Sequence, residues 1–86
     1  MKRKALFQRI LQGNLQNISF GDLVNLVEGF GFEEDRIRGS HHIFFHQSVP
    51  DPLNIQNVRG KAKPYQIRQL IRLVERYNLA LEDDAL

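Results

Sequence analysis

Arg38-Gly39-Ser40-His41-His42-Ile43-Phe44-Phe45-His46 is the stretch that decides how this chain is read. Gly39-Ser40 is a turn signal. The apolar and aromatic run after it has the composition of a β-strand. All three histidines of the chain fall inside this segment. On a strand, alternate side chains point to opposite faces, so His41 faces away from both His42 and His46. A histidine just after a bend is presented at the start of a rigid element, and its unperturbed pKa lies near neutrality. We therefore take His41 as the working residue.

Working outward, residues 32–38 read as a first strand, weakened by three consecutive acids. Residues 41–47 read as a second strand, and Gly39-Ser40 as the hairpin turn between the two. Val49-Pro50-Asp51-Pro52 reads as a loop because of its two prolines. Leu53-Asn54-Ile55-Gln56-Asn57-Val58 alternates strictly, which predicts a third strand with Leu, Ile and Val on one face. Arg59-Gly60-Lys61-Ala62-Lys63 is a basic loop, and Pro64 suits the first turn of a helix over about 64–78. Ile67, Leu70, Ile71, Val74 and Tyr77 share one side of that helix. Arg68, Arg72 and Arg76 recur on another, and Asn78 with the acidic tail ends it.

Upstream, Ser19-Phe20-Gly21-Asp22 fits a capping box, with the acid three residues after the cap. Phe20, Leu23, Val24, Leu26 and Val27 supply the buried side of this helix, and Gly29 ends it. Phe30 and Phe32 then carry the chain into the core. Residues 2–12 form a thinner helix whose stripe is Leu6 and Ile10 with Ala5, stopped by Gly13-Asn14, an appendage packed on the domain. The order is helix, helix, strand, strand, strand, helix. Consecutive strands joined by short turns are antiparallel. The expected class is α+β, with helices covering one face of a three-stranded antiparallel sheet. The other sheet face, or its rim, is left for a ligand.

Eighty-six residues make one small domain. We divide it into an N-terminal extension (1–18), a core (19–79) and an acidic tail (80–86). With no cysteine there is no disulfide, thiolate metal site or Cys nucleophile, which fits a reducing cytoplasm. Met1-Lys2-Arg3-Lys4 is basic, but no long apolar region follows, so it does not read as a signal peptide. No apolar run approaches the roughly 20 residues of a membrane span. Net charge is only +2, yet residues 59–76 hold six basic groups against Glu75 alone. A local basic stretch suits a polyanion contact at one place. It also suits a solvated helix face, or docking of an acidic protein partner on Arg68, Arg72 and Arg76.

A metal site made from the three histidines is disfavoured by strand geometry. His42 and His46 lie about 13 Å apart along a strand at roughly 3.3 Å per residue, whereas ligands must sit about 2 Å from one ion. Ser40 and His41 are adjacent and point apart, and no G-x-S-x-G elbow is present. Acid–base work by one histidine on RNA survives these tests, because ribose carries its own nucleophile, the 2′-OH. His41 can move the proton, and Arg38, Lys61 and Lys63 are the cations for the phosphate, provided the loop after strand three returns toward the turn. From the residues alone a structural or ligand-stacking histidine is the commoner case and outweighs the catalytic one.

Gly39-Ser40-His41-His42-Ile43-Phe44 resembles the signature of the HicA family of bacterial toxins, the YcfA-like mRNA interferases. Phe20 to Phe32 resembles the family's first helix running into its strand. Leu53-Asn54-Ile55, the basic Gly-containing loop and Lys63-Pro64-Tyr65-Gln66-Ile67-Arg68 are similar to its third strand and last helix. The resemblance covers about residues 19–79. It implies a fold like the double-stranded-RNA-binding domain, α-β-β-β-α, preceded here by an extra N-terminal helix. It implies metal-independent, cofactor-free cleavage of mRNA without the ribosome, and a HicB antitoxin that covers the active site. It implies that His41 is the catalytic histidine and that Gly39 and Ser40 form the family's turn. Residues 1–18 exceed the minimal family form. The alternatives from the residues are a non-catalytic RNA-binding module on this fold, or a subunit docking an acidic partner through the last helix.

Overall fold

The computed structural model of the chain describes residues 2–82. Three helices and three strands follow in the order α1 (Arg3–Leu11), α2 (Phe20–Gly29), β1 (Glu33–Arg38), β2 (His41–His46), β3 (Val49–Gln56) and α3 (Pro64–Tyr77). The strands form one antiparallel sheet in the order β1-β2-β3, with β2 central. This is the expected α-β-β-β-α arrangement with α1 in front of it. Asp83 and Asp84 of the acidic tail lie outside the described residues.

Each helix has a local cause. Ser19 caps α2, its Oγ accepting from the Asp22 backbone N–H at 3.0 Å, a bond of a kind that stabilises a helix by about 1 kcal/mol. Pro64 opens α3, and Asn78 closes it in the left-handed conformation at φ 51. In α1, Leu6 and Ile10 are buried as the stripe predicts. Ala5 is instead exposed, and Phe7 joins the packing, edge-on to Phe30 at 5.1 Å. The chain leaves α2 through Gly31 at φ +93, a conformation that L side chains rarely adopt. Gly29, expected to end the helix, is its buried last residue. A Cβ there would lie 2.6 Å from Arg3 Cδ and 2.8 Å from Leu81 Cδ1. Its smallness serves the packing of α1 and the C-terminal segment over α2.

One core holds the layers together. Leu23, Leu26 and Val27 of α2, Ile67, Leu70 and Val74 of α3, Phe44 of β2 and Leu53 and Ile55 of β3 are all buried in it. So are Leu6, Ile10, Leu15 and Ile18 from the N-terminal segment. Burying a side chain of this size contributes about 1.5–3 kcal/mol against exposure. Phe30 and Phe32 are buried as expected.

The third strand departs from expectation at both ends. It begins at Val49, so Val49-Pro50-Asp51-Pro52 is strand and not loop. Prolines are tolerated because β3 is an edge strand, where the missing N–H would face solvent. The register also shifts between Phe44 and His46, so the proline stretch forms an irregularity opposite β2. The strand ends at Gln56. Val58 is exposed instead of facing the core, and pairs in a tight bridge with Lys61. The second strand ends at His46, which leaves Gln47-Ser48 as the β2–β3 turn.

Candidate active site on the open face of the sheet

Alternation along β2 divides the histidines. His42, Phe44 and His46 face the helices: His42 packs on the Phe20 ring at 4.6 Å and His46 on the Phe32 ring at 5.1 Å. His41, Ile43 and Phe45 face the other way, onto a side of the sheet that no helix of the described residues covers. Cross-strand partners share a face. Arg38 lies opposite His41, Arg36 opposite Ile43 and Glu33 opposite Phe45 on β1. Gln56 lies opposite His41 and Asn54 opposite Ile43 on β3. His41 is exposed, as are Arg36, Arg38 and Asn54.

His41 is held by a partner that the sequence reading missed. Its Nδ1 is 3.0 Å from Asn54 Oδ1. An amide oxygen only accepts, so this contact calls for hydrogen on Nδ1. Nε2 is then the uncommitted ring nitrogen, able to take a proton as a base or return it as an acid. Asn54 sits at a polar position of the alternating third strand, which was the available signal. Its partnership depends on the β2–β3 register, which one strand's pattern does not supply.

Gly39 and Ser40 form the two-residue turn between the paired Arg38 and His41, with Gly39 at φ +58. A positive φ at the first turn position suits the right-handed twist of a hairpin. The Ser40 hydroxyl accepts from Gln56 Nε2 at 3.1 Å, and its carbonyl accepts from the Asn57 backbone N–H at 2.8 Å. Gln66, the buried polar residue of the described chain, extends the brace by accepting the Gln56 backbone N–H at 2.8 Å. Turn, strand end and first turn of α3 are thereby tied together.

The basic loop starts at this same end. Asn57 bonds the turn, and Ala62 N–H and Gly60 C=O bond Ile18 C=O and Phe20 N–H at 2.9 and 2.8 Å. These bonds hold the loop at the helix-side rim of the turn end, not on the open face. Lys61 is exposed in that loop. Lys63 caps α3, with its Nζ 5.6 Å from the Tyr65 ring centroid. Arg38, Gly39, Ser40 and His41 therefore share one corner, and Lys61 and Lys63 lie in the loop that leads from that end of β3 past the start of α2 into α3. Lys61, Lys63 and Arg38 form no ion pair among the described residues. Arg36, two residues before Arg38 and so on the same face, is a further cation that alternation alone could have named.

The remaining histidines have structural partners. His42 Nδ1 lies 2.8 Å from Glu34 Oε2, and His46 Nδ1 accepts the Ser48 backbone N–H at 2.9 Å in the β2–β3 turn. Among the described residues there is no group of three or more His, Cys, Asp or Glu that could hold a metal ion.

A helix-backed antiparallel sheet with an exposed, oriented imidazole among cations on its free face defines the class: an α+β protein of double-stranded-RNA-binding-domain-like fold. The profile of the family described as HicA toxin of bacterial toxin-antitoxin matches residues 20–75, and the chain belongs to that family. Comparison with curated proteins and with solved structures gave no match. The matched region runs from the start of α2 into α3 and contains the Arg38–His41 corner. Membership makes the chain the toxin half of a toxin–antitoxin pair, with an antitoxin as its counterpart. No helix among the described residues is long and apolar enough to cross a membrane.

Proposed function

We propose that this toxin is a ribosome-independent mRNA endoribonuclease with His41 as its catalytic residue, acting in the cytoplasm and restrained by a HicB-type antitoxin. The observation that carries this reading is the exposed His41 ring, held through Nδ1 by Asn54 on the face it shares with Arg38. His41 Nε2 takes the proton of a ribose 2′-OH. The 2′-oxygen attacks the adjacent phosphorus and the bond to the 5′-oxygen breaks. The proton on Nε2 is then given to that 5′-oxygen, leaving a 2′,3′-cyclic phosphate and a 5′-hydroxyl. Arg38 faces the developing phosphorane charge, and Lys61 and Lys63 hold the flanking backbone from the rim. Gly39 and Ser40 set the angle at which β2 presents the imidazole.

The reaction uses the substrate's own nucleophile, so cleavage is expected to persist in a chelator. The test is induction of the wild type beside His41→Ala in bacteria, reading growth and transcript ends. Wild type should arrest growth and generate new ends, and His41→Ala should do neither while remaining folded. A toxic His41→Ala protein would overturn the assignment.

A further inference from the structure

The row on the open face of β2 changes character along its length. At the turn end His41 lies beside Arg38, in the middle Ile43 lies beside Arg36, and at the far end Phe45 lies beside Glu33. Phe44, on the opposite face, is fully buried, whereas Phe45 is 43% exposed. Cations suit phosphates. An aromatic ring next to a carboxylate does not: the acid repels a phosphate, while the ring offers a face to a base and the acid accepts from base N–H groups. Phe45 and Glu33 also stand at the edge of a groove of about 640 Å³ whose other walls, Phe30, His46 and Tyr77 among them, belong to the helix side of the sheet.

We propose that this face takes unpaired RNA, with Phe45 as a platform on which one base stacks near the cleaved phosphate. The proposal deepens the nuclease reading and rests on it. His41 and Phe45 are four residues apart, about 13 Å along a strand, or at most about four nucleotide steps at 3.4 Å each. A duplex cannot use the platform, because its bases are stacked inside and it presents sugar and phosphate outward. An antitoxin seated on Phe45 would cover the platform in the paired state; that is a different occupant, and it predicts no base-dependent affinity in the free toxin.

The chain has no tryptophan, so Phe45→Trp places the sole indole at the site. In a His41→Ala background, which prevents turnover, its emission is followed against three ligands: a mixed-sequence single strand, the same strand annealed to its complement, and the same strand with abasic riboses. The single strand should quench the emission and bind at least about tenfold more tightly than the other two. Phe45→Ala and Phe45→Leu should each lose about tenfold on the single strand, since stacking contributes roughly 1–3 kcal/mol per base. Phe45→Leu keeps the bulk and so controls for folding. Equal affinity for strand and duplex, or unchanged affinity in both Phe45 variants, overturns the platform. Cleavage assays separate the two readings. If His41→Ala still cleaves while the Phe45 variants weaken binding, the acid–base assignment falls and the platform stands. If His41→Ala is inert while the Phe45 variants bind and cleave normally, the reverse holds.

Discussion

Adjacent residues in one strand have opposite surroundings here. His41 points to solvent and is oriented by Asn54, whereas His42 is half-buried between Phe20 and Glu34. Purified His41→Ala should lose cleavage by about 10²- to 10⁴-fold, the usual weight of general acid–base catalysis. Its Tm should stay within about 4 °C, because exposed positions change stability by roughly 0.5 kcal/mol or less. His42→Ala should do the opposite. It forfeits an aromatic contact and a partly screened bond to a carboxylate, at a cost of about 1 kcal/mol. In a chain this size that lowers Tm by about 4–8 °C, with cleavage retained. Exchange of these two phenotypes would mean that the faces are assigned the wrong way round. Asn54→Ala should lower kcat on the order of 10- to 100-fold by releasing the imidazole, with KM little changed. Asn54→Asp keeps an oxygen acceptor for Nδ1 and should recover most of the rate. A matching loss in both variants would deny Asn54 its positioning role. The histidine could be picked out because the turn and the strand period together determine its face. Its partner could not, since Asn54 meets His41 only through a pairing thirteen residues away in sequence.

At the scale of elements, the helices were legible because capping and apolar spacing are local: Ser19 and Asp22 mark α2, and Pro64 marks α3. The start of β3 was not, because proline forbids a central strand but not an edge, and edge position is a property of the whole sheet. Val58 misled because the alternation runs two residues past the end of the strand at Gln56, into the turn that Arg59 and Gly60 make at positive φ. Nor was the meeting of the two chain ends over α2 visible. Arg3 Nε donates to the Asn25 carbonyl at 2.9 Å, and the Glu82 N–H donates to the Gly29 carbonyl at 2.8 Å. Gly29 lies beneath both. Gly29→Ala should therefore destabilise the protein by about 1–3 kcal/mol through overpacking, offset by about 1 kcal/mol of helix propensity. Arg3→Ala in the same chain should relieve part of the loss. Thermal unfolding of the two single variants and the double tests this. Strictly additive effects would mean that the Cβ and the Arg3 side chain do not compete for one space.

At the scale of the whole molecule, the sheet separates two basic regions. Arg36 and Arg38 lie on the open face, with Lys61 and Lys63 in the loop beyond its turn end, while Arg68, Arg72 and Arg76 project from α3, which packs on the other face. Local sequence reads both as basic and cannot rank them; the fold does, because Arg36 and Arg38 share the sheet face of His41 and the α3 arginines do not. If RNA crosses the open face, the first four cations neutralise phosphates and the arginine ridge does not. The logarithm of the binding constant should then fall with the logarithm of salt concentration at a slope of about −0.7 per contact for a single strand, or about −3 for four contacts. Arg36→Ala with Arg38→Ala should flatten that slope by about 1.4 and weaken binding at low salt. Arg68→Glu with Arg72→Glu should leave both slope and cleavage rate nearly unchanged, since their exposed charges sit on the far side of the sheet from His41 and salt screens exposed charges. Should charge reversal on α3 abolish RNA binding while the open-face pair proves dispensable, the substrate runs along the helix. His41 would then lie on the wrong side of the sheet to reach it.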